Sequence, residues 1–262
     1  MAKTRKQKEL VISIILGVIA GILALTAVLM IVIPQIKNKN KYKEFKNEDA
    51  QIDPVDSDDG KLPENPIKFD ELAEKNEDIC AWLHFESLPV IDYPIVRPEG
   101  ENKDTNYYLR RDLEGKYSVG GTVYIQKVNS PDFQDRCTVV YGHNMHDMTM
   151  FGHLKDFRNK EFFDNNPYFY VFRRKHILKY EIKSAFVYDD RLITSSFNFA
   201  NDTEYQNFID EVCNPKSLVK NVREDLKVTL DSKMVVLSTC TDYNKNERYL
   251  VVGVLVKDTK TE

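Results

Sequence analysis

Four cysteines in 262 residues are too few for a dense disulfide framework, and the chain is long enough to bury a core without staples. Cys80, Cys137, Cys213 and Cys240 are therefore expected to be free thiols. Cys80, beside Ala81 and Trp82, and Cys213, beside an apolar helical stripe, read as core, and Cys137 as the packed start of a strand. An excess of positive charge is also missing. The formal net charge is -4, which removes the electrostatic basis for nucleic-acid binding, so no nucleic-acid partner is expected. No internal repeat is visible, which excludes a solenoid. Long apolar runs are absent with one exception, the 24 uncharged positions from Leu10 to Ile33. A helix of that length crosses about 30 Å of hydrocarbon. The small-x-small exit of a cleaved signal peptide is missing from Ile31-Val32-Ile33-Pro34-Gln35, so residues 10–33 are expected to be an uncleaved transmembrane signal anchor behind a short N-terminus, residues 1–9. Charge does not orient it, because Lys3, Arg5, Lys6 and Lys8 precede the span and Lys37, Lys39, Lys41 and Lys43 follow it.

After the span, residues 34–66 are charged, Asn-rich and poor in large apolar side chains, and read as a linker. The remainder, 67–262, reads as one domain. Phe69, Leu72 and Ala73 give a short amphipathic helix over Phe69 to Asn76, packed on the outside of the rest of the domain. Strand patterns come next, at Val90 to Val96, Thr122 to Gln126, Thr138 to Tyr141, Tyr168 to Arg173, Ile177 to Tyr188, Lys227 to Leu230, Met234 to Thr239 and Tyr249 to Lys257. One helix interrupts them, with Tyr205, Phe208, Ile209 and Val212 at i, i+3, i+4, i+7 and Thr203 placed to cap it. The expected fold is mostly β, a mixed barrel of about eight strands with peripheral helices, preceded by the one transmembrane helix.

The chemistry gathers at strand ends. Val235, Leu237 and Thr239 share one face of their strand, and Val236, Ser238 and Cys240 share the other, so a hydroxyl and a thiol point the same way where that strand meets solvent. Arg248 opens the next apolar run. The loop between them, Thr241 to Glu247, is short enough to make the two strands antiparallel neighbours and bring Arg248 beside Cys240. The run Thr138-Val139-Val140-Tyr141-Gly142 ends at His143. His84 reads as packed or at an edge and His176 as part of a hairpin turn, which leaves His143 as the leading acid/base. A thiol, an imidazole and a guanidinium are what acyl transfer by a thiolate requires: a nucleophile, a proton carrier and a cation for the developing oxyanion. Bland readings stand beside these. A lone strand cysteine is more often a small core residue, Arg248 has a surface salt bridge with Glu247 or Asp242 as its alternative, and the Ser238 hydroxyl has a bond to a neighbouring strand. A metal site from His143, His146 and His153 is disfavoured, because the intervening segment reads as a loop without a His-Glu-x-x-His helix, and no metal or other cofactor is expected.

The order His143, then Leu237-Ser238-Thr239-Cys240, then Arg248 resembles the signature of the sortases, with Val236 where the family's strand begins with Thr. Ala81-Trp82-Leu83 leading into Ile91-Asp92-Tyr93-Pro94-Ile95-Val96, together with Asn106-Tyr107-Tyr108-Leu109 and Tyr141-Gly142-His143-Asn144-Met145, resembles class B of that family, cysteine transpeptidases of Gram-positive bacteria. So does a long helix just before the nucleophile strand. The resemblance covers roughly residues 67–256. It implies a sortase-like barrel on the outer face of the cell membrane, with Cys240 as nucleophile, His143 as acid/base and Arg248 as oxyanion ligand. Ser238, Thr239, Tyr141 and Asn106 would contact substrate. The reaction it implies is cleavage of a C-terminal sorting signal of the Asn-Pro-x-Thr-Gly or Ser-Pro-x-Thr-Gly kind after Thr, followed by transfer of the surface protein to an amine of peptidoglycan or its lipid-linked precursor. The alternative is an inactive sortase-like module that binds peptides at the membrane. The Ser/Thr-His-Gly-Cys motif of another cysteine-dependent class, the L,D-transpeptidases, is absent.

Overall fold

The structure, a computed structural model, describes residues 2–54, 61–242, 244 and 246–262. The elements in chain order are α1 (Ala2–Lys41), α2 (Phe69–Lys75), β1 (Ile79–His84), β2 (Asp92–Val96), β3 (Tyr124–Ile125), β4 (Cys137–Tyr141), α3 (Lys160–Asn165), β5 (Tyr168–Arg173), β6 (His176–Asp189), α4 (Ile193–Ser196), α5 (Asp202–Cys213), β7 (Lys220–Val222), β8 (Met234–Cys240) and β9 (Glu247–Lys260). Short 3-10 turns lie at Lys43–Phe45, Tyr107–Arg110 and Gly152–Arg158.

The β-branched and aromatic strands pair in the order β5-β1-β2-β3-β4-β8-β9-β6, and a further pairing between β5 and β6 closes the ring. Eight strands therefore form the barrel, and β7 is an added edge on β6. Two neighbouring pairs are parallel, β2 with β3 and β4 with β8. Alternation along β8 sorts its side chains as the sequence predicts. Val235 and Leu237 join the larger apolar cluster with Val140 and Val251, while Met234 and Val236 join a second cluster on the outer wall. That outer cluster is covered by α5, through the predicted stripe Tyr205, Phe208, Ile209 and Val212.

Several expectations are corrected. Residues 79–84 form a strand paired to both β2 and β5, although their nearly continuous burial hides any period-2 signal. The strand expected at Lys227 to Leu230 is not one; β7 pairs instead, and Val228 and Leu230 pack irregularly on the outer cluster. The cap of α5 is Asn201, whose Oδ1 accepts from the Glu204 backbone N–H at 3.1 Å, rather than Thr203.

The expected linker 34–66 is not a free tether in its described parts. Tyr42 and Phe45 are buried, the Tyr42 ring meets Trp82 edge-on at 5.8 Å, and Lys46 forms an ion pair with Asp92. Further along, Asp53 accepts from Lys179 at 2.6 Å and Lys257 at 3.3 Å. A few anchors suffice to dock a polar segment that has no core of its own. Its residues 55–60 lie outside the described residues. The N-terminal apolar run lies within the single 40-residue helix α1, where its described side chains, such as Leu16 and Leu23, are exposed. Among the described residues no helix is long and apolar enough to cross a membrane, so the span over 10–33 rests on the sequence.

Candidate active site

Strand pairing alone brings three distant residues to one rim. β4 and β8 run parallel in a register that ends with Tyr141 beside Ser238, so two steps further His143 and Cys240 leave the barrel at the same level. β8 and β9 run antiparallel with Cys240 directly opposite Arg248, and opposed residues in a ladder share a face. The loop joining them is pinned at its neck by the Thr241 N–H to the Glu247 carbonyl at 3.3 Å; its Tyr243 and Lys245 lie outside the described residues.

All four cysteines are free. Cys240 is exposed, whereas Cys137 is buried and its thiol is pushed far up by desolvation. Cys80 donates to the Ile95 carbonyl at 3.5 Å, and burial pushes it up to about 12. Cys213 is also raised, chiefly by burial. Burial thus disfavours the thiolate at the other three cysteines, and Cys240 is the exposed one.

His143 is partly buried. Its Nε2 lies 2.8 Å from the carbonyl oxygen of Leu109. Desolvation lowers its pKa below the ordinary imidazole value; the Leu109 carbonyl opposes the shift and the Arg110 charge adds to it. The approach to His143 is set by Gly142, where a Cβ would lie 2.7 Å from the Phe151 ring, so only glycine lets the buried phenylalanine pack under this turn. Phe151 also donates its backbone N–H to the His143 carbonyl at 2.9 Å. Arg248 is partly buried, and its Nη1 donates to the Glu247 carbonyl at 3.0 Å. Asp242, one of the salt-bridge partners considered for it, is instead engaged by Asn144 at 2.6 Å and Lys155 at 3.2 Å. Partial burial pulls the Asp242 carboxyl up, but these two donors outweigh it and hold it below the ordinary carboxylate value. This Asn144–Asp242 bond ties the loop carrying His143 to the loop leaving Cys240.

The residues expected to contact substrate divide into two groups. Tyr141 stacks on Tyr124 at 5.4 Å, and its hydroxyl is pushed up to about 12 by burial. The Tyr124 phenol is raised too, by burial first, and it also feels the charges of Tyr141, Cys240 and Arg248. Asn106 reaches this wall, its Oδ1 accepting from Tyr124 at 3.2 Å and from Gln126 at 3.0 Å. Ser238 is buried beside Cys240 on the same face, and its carbonyl accepts from Gly142 N–H at 3.2 Å. Thr239 differs. Its hydroxyl donates to the Gly142 carbonyl at 2.8 Å from the opposite face of β8, so it clamps the strand end that carries His143 and does not present a donor to solvent.

The Leu109 carbonyl, the Asn144–Asp242 bridge and Tyr124 are parts of this neighbourhood to which sequence reasoning gave no role; the signal for Leu109 is its place at the end of Asn106-Tyr107-Tyr108-Leu109. Of the other rim histidines, His153 bonds Asp156 at 2.7 Å and His146 is exposed. Among the described residues no three His, Cys, Asp or Glu side chains are grouped to hold a metal ion.

Comparison with known proteins identifies the family. The sortase domain family matches residues 84–256. The Sortase B of Listeria monocytogenes is 29% identical over 194 residues, covering 71% of this chain and 73% of that protein. The crystal structure of Clostridium perfringens sortase B superposes with a TM-score of 0.64 at 28% identity, covering 72% of this chain and all of that one. Sortase B of B. anthracis, solved in complex with AAEK1, superposes with a TM-score of 0.63 at 31% identity over 85% of this chain and 94% of that one. The chain is a member of the sortase family of cysteine transpeptidases and belongs with its class B proteins.

Proposed function

We propose that this transpeptidase cleaves a C-terminal sorting signal of the Asn-Pro-x-Thr-Gly or Ser-Pro-x-Thr-Gly kind after Thr, through a thioester on Cys240, and transfers the surface protein to an amine of peptidoglycan or its lipid-linked precursor. The observation that carries this reading is the direct cross-strand pairing of an exposed cysteine with an arginine, with a histidine delivered to the same rim by the parallel neighbour strand.

His143, whose pKa is lowered chiefly by burial, is the group placed to carry the proton between Cys240 and the leaving amine. Cys240 gives its proton to His143 and its sulfur attacks the threonyl carbonyl carbon. Arg248 donates to the resulting oxyanion. The C–N bond breaks as imidazolium His143 protonates the departing amine, which leaves a neutral imidazole and a thioester. The incoming amine then attacks that carbonyl, His143 removes its proton, and collapse returns it to the sulfur. The rim wall formed by Tyr141, Tyr124, Asn106 and Ser238 would hold the signal peptide.

Residues 10–33 would anchor the protein in the cell membrane as a single span with residues 67–262 as the extracellular catalytic domain, in keeping with the uncharged run and the lysines flanking it. Mass spectrometry of the protein incubated with a panel of sorting-signal peptides tests the reaction. A peptide-acyl adduct on Cys240, truncated after Thr, is expected with at least one of them; binding of every peptide without an adduct would assign the barrel to peptide binding alone.

A further inference from the structure

A carbonyl oxygen can only accept a hydrogen bond, so the 2.8 Å contact between Leu109 and His143 requires that Nε2 carry the proton. In the neutral ring, Nδ1 is then the nitrogen with the lone pair. The position of one main-chain oxygen therefore decides which ring atom does the chemistry. Leu109 itself is exposed and lies in a four-residue 3-10 turn, Tyr107–Arg110, which has little stiffness of its own.

The supports that fix the turn lie behind it. Tyr108 is only 1% exposed, and its hydroxyl donates to Asp78 Oδ2 at 2.6 Å and accepts from Asn76 Nδ2 at 2.9 Å. Asp78 is itself buried, and it also accepts from Lys103 at 2.5 Å and from the Glu99 N–H at 3.2 Å. Thr122 N–H holds the Tyr108 carbonyl at 3.0 Å. The second support is Gly121, which sits at a φ of +59°; a Cβ there would lie 2.4 Å from Leu109 O and 2.6 Å from Tyr108 O. Both are main-chain atoms, so no flexible side chain can swing aside. Any side chain at position 121 must displace the carbonyl that His143 uses.

We propose that Gly121 and the buried Asp78–Tyr108 pair are positioning residues for His143, acting through the Leu109 carbonyl, and that they route the proton exchanged between Cys240 and the substrate amines through Nδ1. This rests on the acid/base role of His143 in the proposed reaction. The Leu109 carbonyl favours the protonated ring, so losing it leaves burial and Arg110 to depress the imidazole further.

Four variants of the full-length chain test it, read by single-turnover acylation of Cys240 and by 15N NMR of the histidine rings. Replacing His143 by Nδ1-methylhistidine, which blocks Nδ1 and leaves an Nε2–H for Leu109 only in the protonated ring, is expected to cost about 10²-fold or more in acylation, the contribution of a general acid/base. Gly121→Ala is expected to cost about 10²-fold in turnover with a much smaller change in KM, the scale of a 1 Å misplacement, and to lower the His143 titration midpoint with loss of the hydrogen-bonded Nε2–H signal. Tyr108→Phe, which keeps the ring and removes the bond to Asp78, should move the same NMR signals in the same direction by less, and it decides the matter if Gly121→Ala does not fold. A His143→Ala variant separates the two levels of the argument. If it is dead while the Nδ1-methyl protein is within threefold of wild type, the routing through Nδ1 is overturned. An unchanged His143 titration in folded Tyr108→Phe or Gly121→Ala protein overturns the positioning roles. Wild-type turnover by His143→Ala would remove the acid/base role and this inference with it.

Discussion

His84 ends β1 and His143 follows β4, and the walls they serve face one another: β1 and β8 are separated by β2, β3 and β4 one way round the barrel and by β5, β6 and β9 the other. His84 is absorbed into structure. Its Nδ1 lies 3.2 Å from Asp92 Oδ1, the oxygen that also accepts from Trp82 Nε1 at 2.7 Å, while Lys46 pairs with the other carboxylate oxygen and Phe172 stacks at 5.8 Å. Burial, with the Lys46 charge as the lesser cause, drives its pKa down to about 4. His143 is also lowered, and for the same leading reason. A depressed imidazole therefore does not distinguish the two walls. They differ in the company each histidine keeps: one wall surrounds it with an ion pair and aromatic rings, the other sets it at the level of an exposed thiol with a guanidinium across the ladder.

Cys240→Ala breaks the active wall outright. Acylation should fall below detection while thermal stability stays within about 0.5 kcal/mol of wild type, as for an exposed site without packing; measurable acylation would place the nucleophile elsewhere. Lys46→Met should do the converse, costing about 3 kcal/mol or more in urea unfolding because it leaves the buried Asp92 carboxylate without its cation, with kcat unchanged in the folded protein. A loss under about 1 kcal/mol, well short of that for a broken buried pair, would show that the docked segment contributes little to the barrel.

Arg248→Lys keeps the charge and loses the planar fork, and should slow acylation by about 10²- to 10³-fold at saturating peptide. A rate within threefold of wild type would return Arg248 to a salt-bridge role. The silent wall has a pH signature. The unfolded chain binds a proton at position 84 near pH 6.5 that the folded chain refuses until about pH 4, so stability should decline as pH falls through that window, with a slope of at most about 1.4 kcal/mol per pH unit from this group, and level off below it. A His84→Gln variant with the same pH dependence would assign the slope to other groups. Smallest of all, EDTA should leave activity unchanged; loss of activity restored by zinc would favour the reading of His143, His146 and His153 as ligands.

The two walls also differ in how far they can be read from the sequence. The active wall is legible because Met234 to Thr239, although buried on both faces, form a β-branched run that ends in Ser-Thr-Cys, and a short loop to Arg248 is enough to place two residues side by side. Strand β1 is not, since Ile79 to His84 carries neither a β-branched run nor an alternation to mark it, and neither is the docking of residues 42–54, which depends on single long-range anchors such as Lys46 and Asp53 in a polar segment. Thr239 shows the limit within the site: its side-chain direction follows from alternation, but its partner, the Gly142 carbonyl, lies at the end of another strand. The Leu109 carbonyl is a main-chain atom and carries no residue signature at all.

The parallel pairing of β4 with β8 also dictates when the chain becomes competent. Cys137 to Tyr141 must wait for Met234 to Ser238, nearly a hundred positions downstream, and the barrel still has a gap until β9 inserts between β8 and β6. Such distant partners meet slowly, because a long loop must close before any contact rewards it. Ring closure and the pairing of Arg248 opposite Cys240 come from the same strand, so under the proposed reaction a chain without β9 in place cannot acylate.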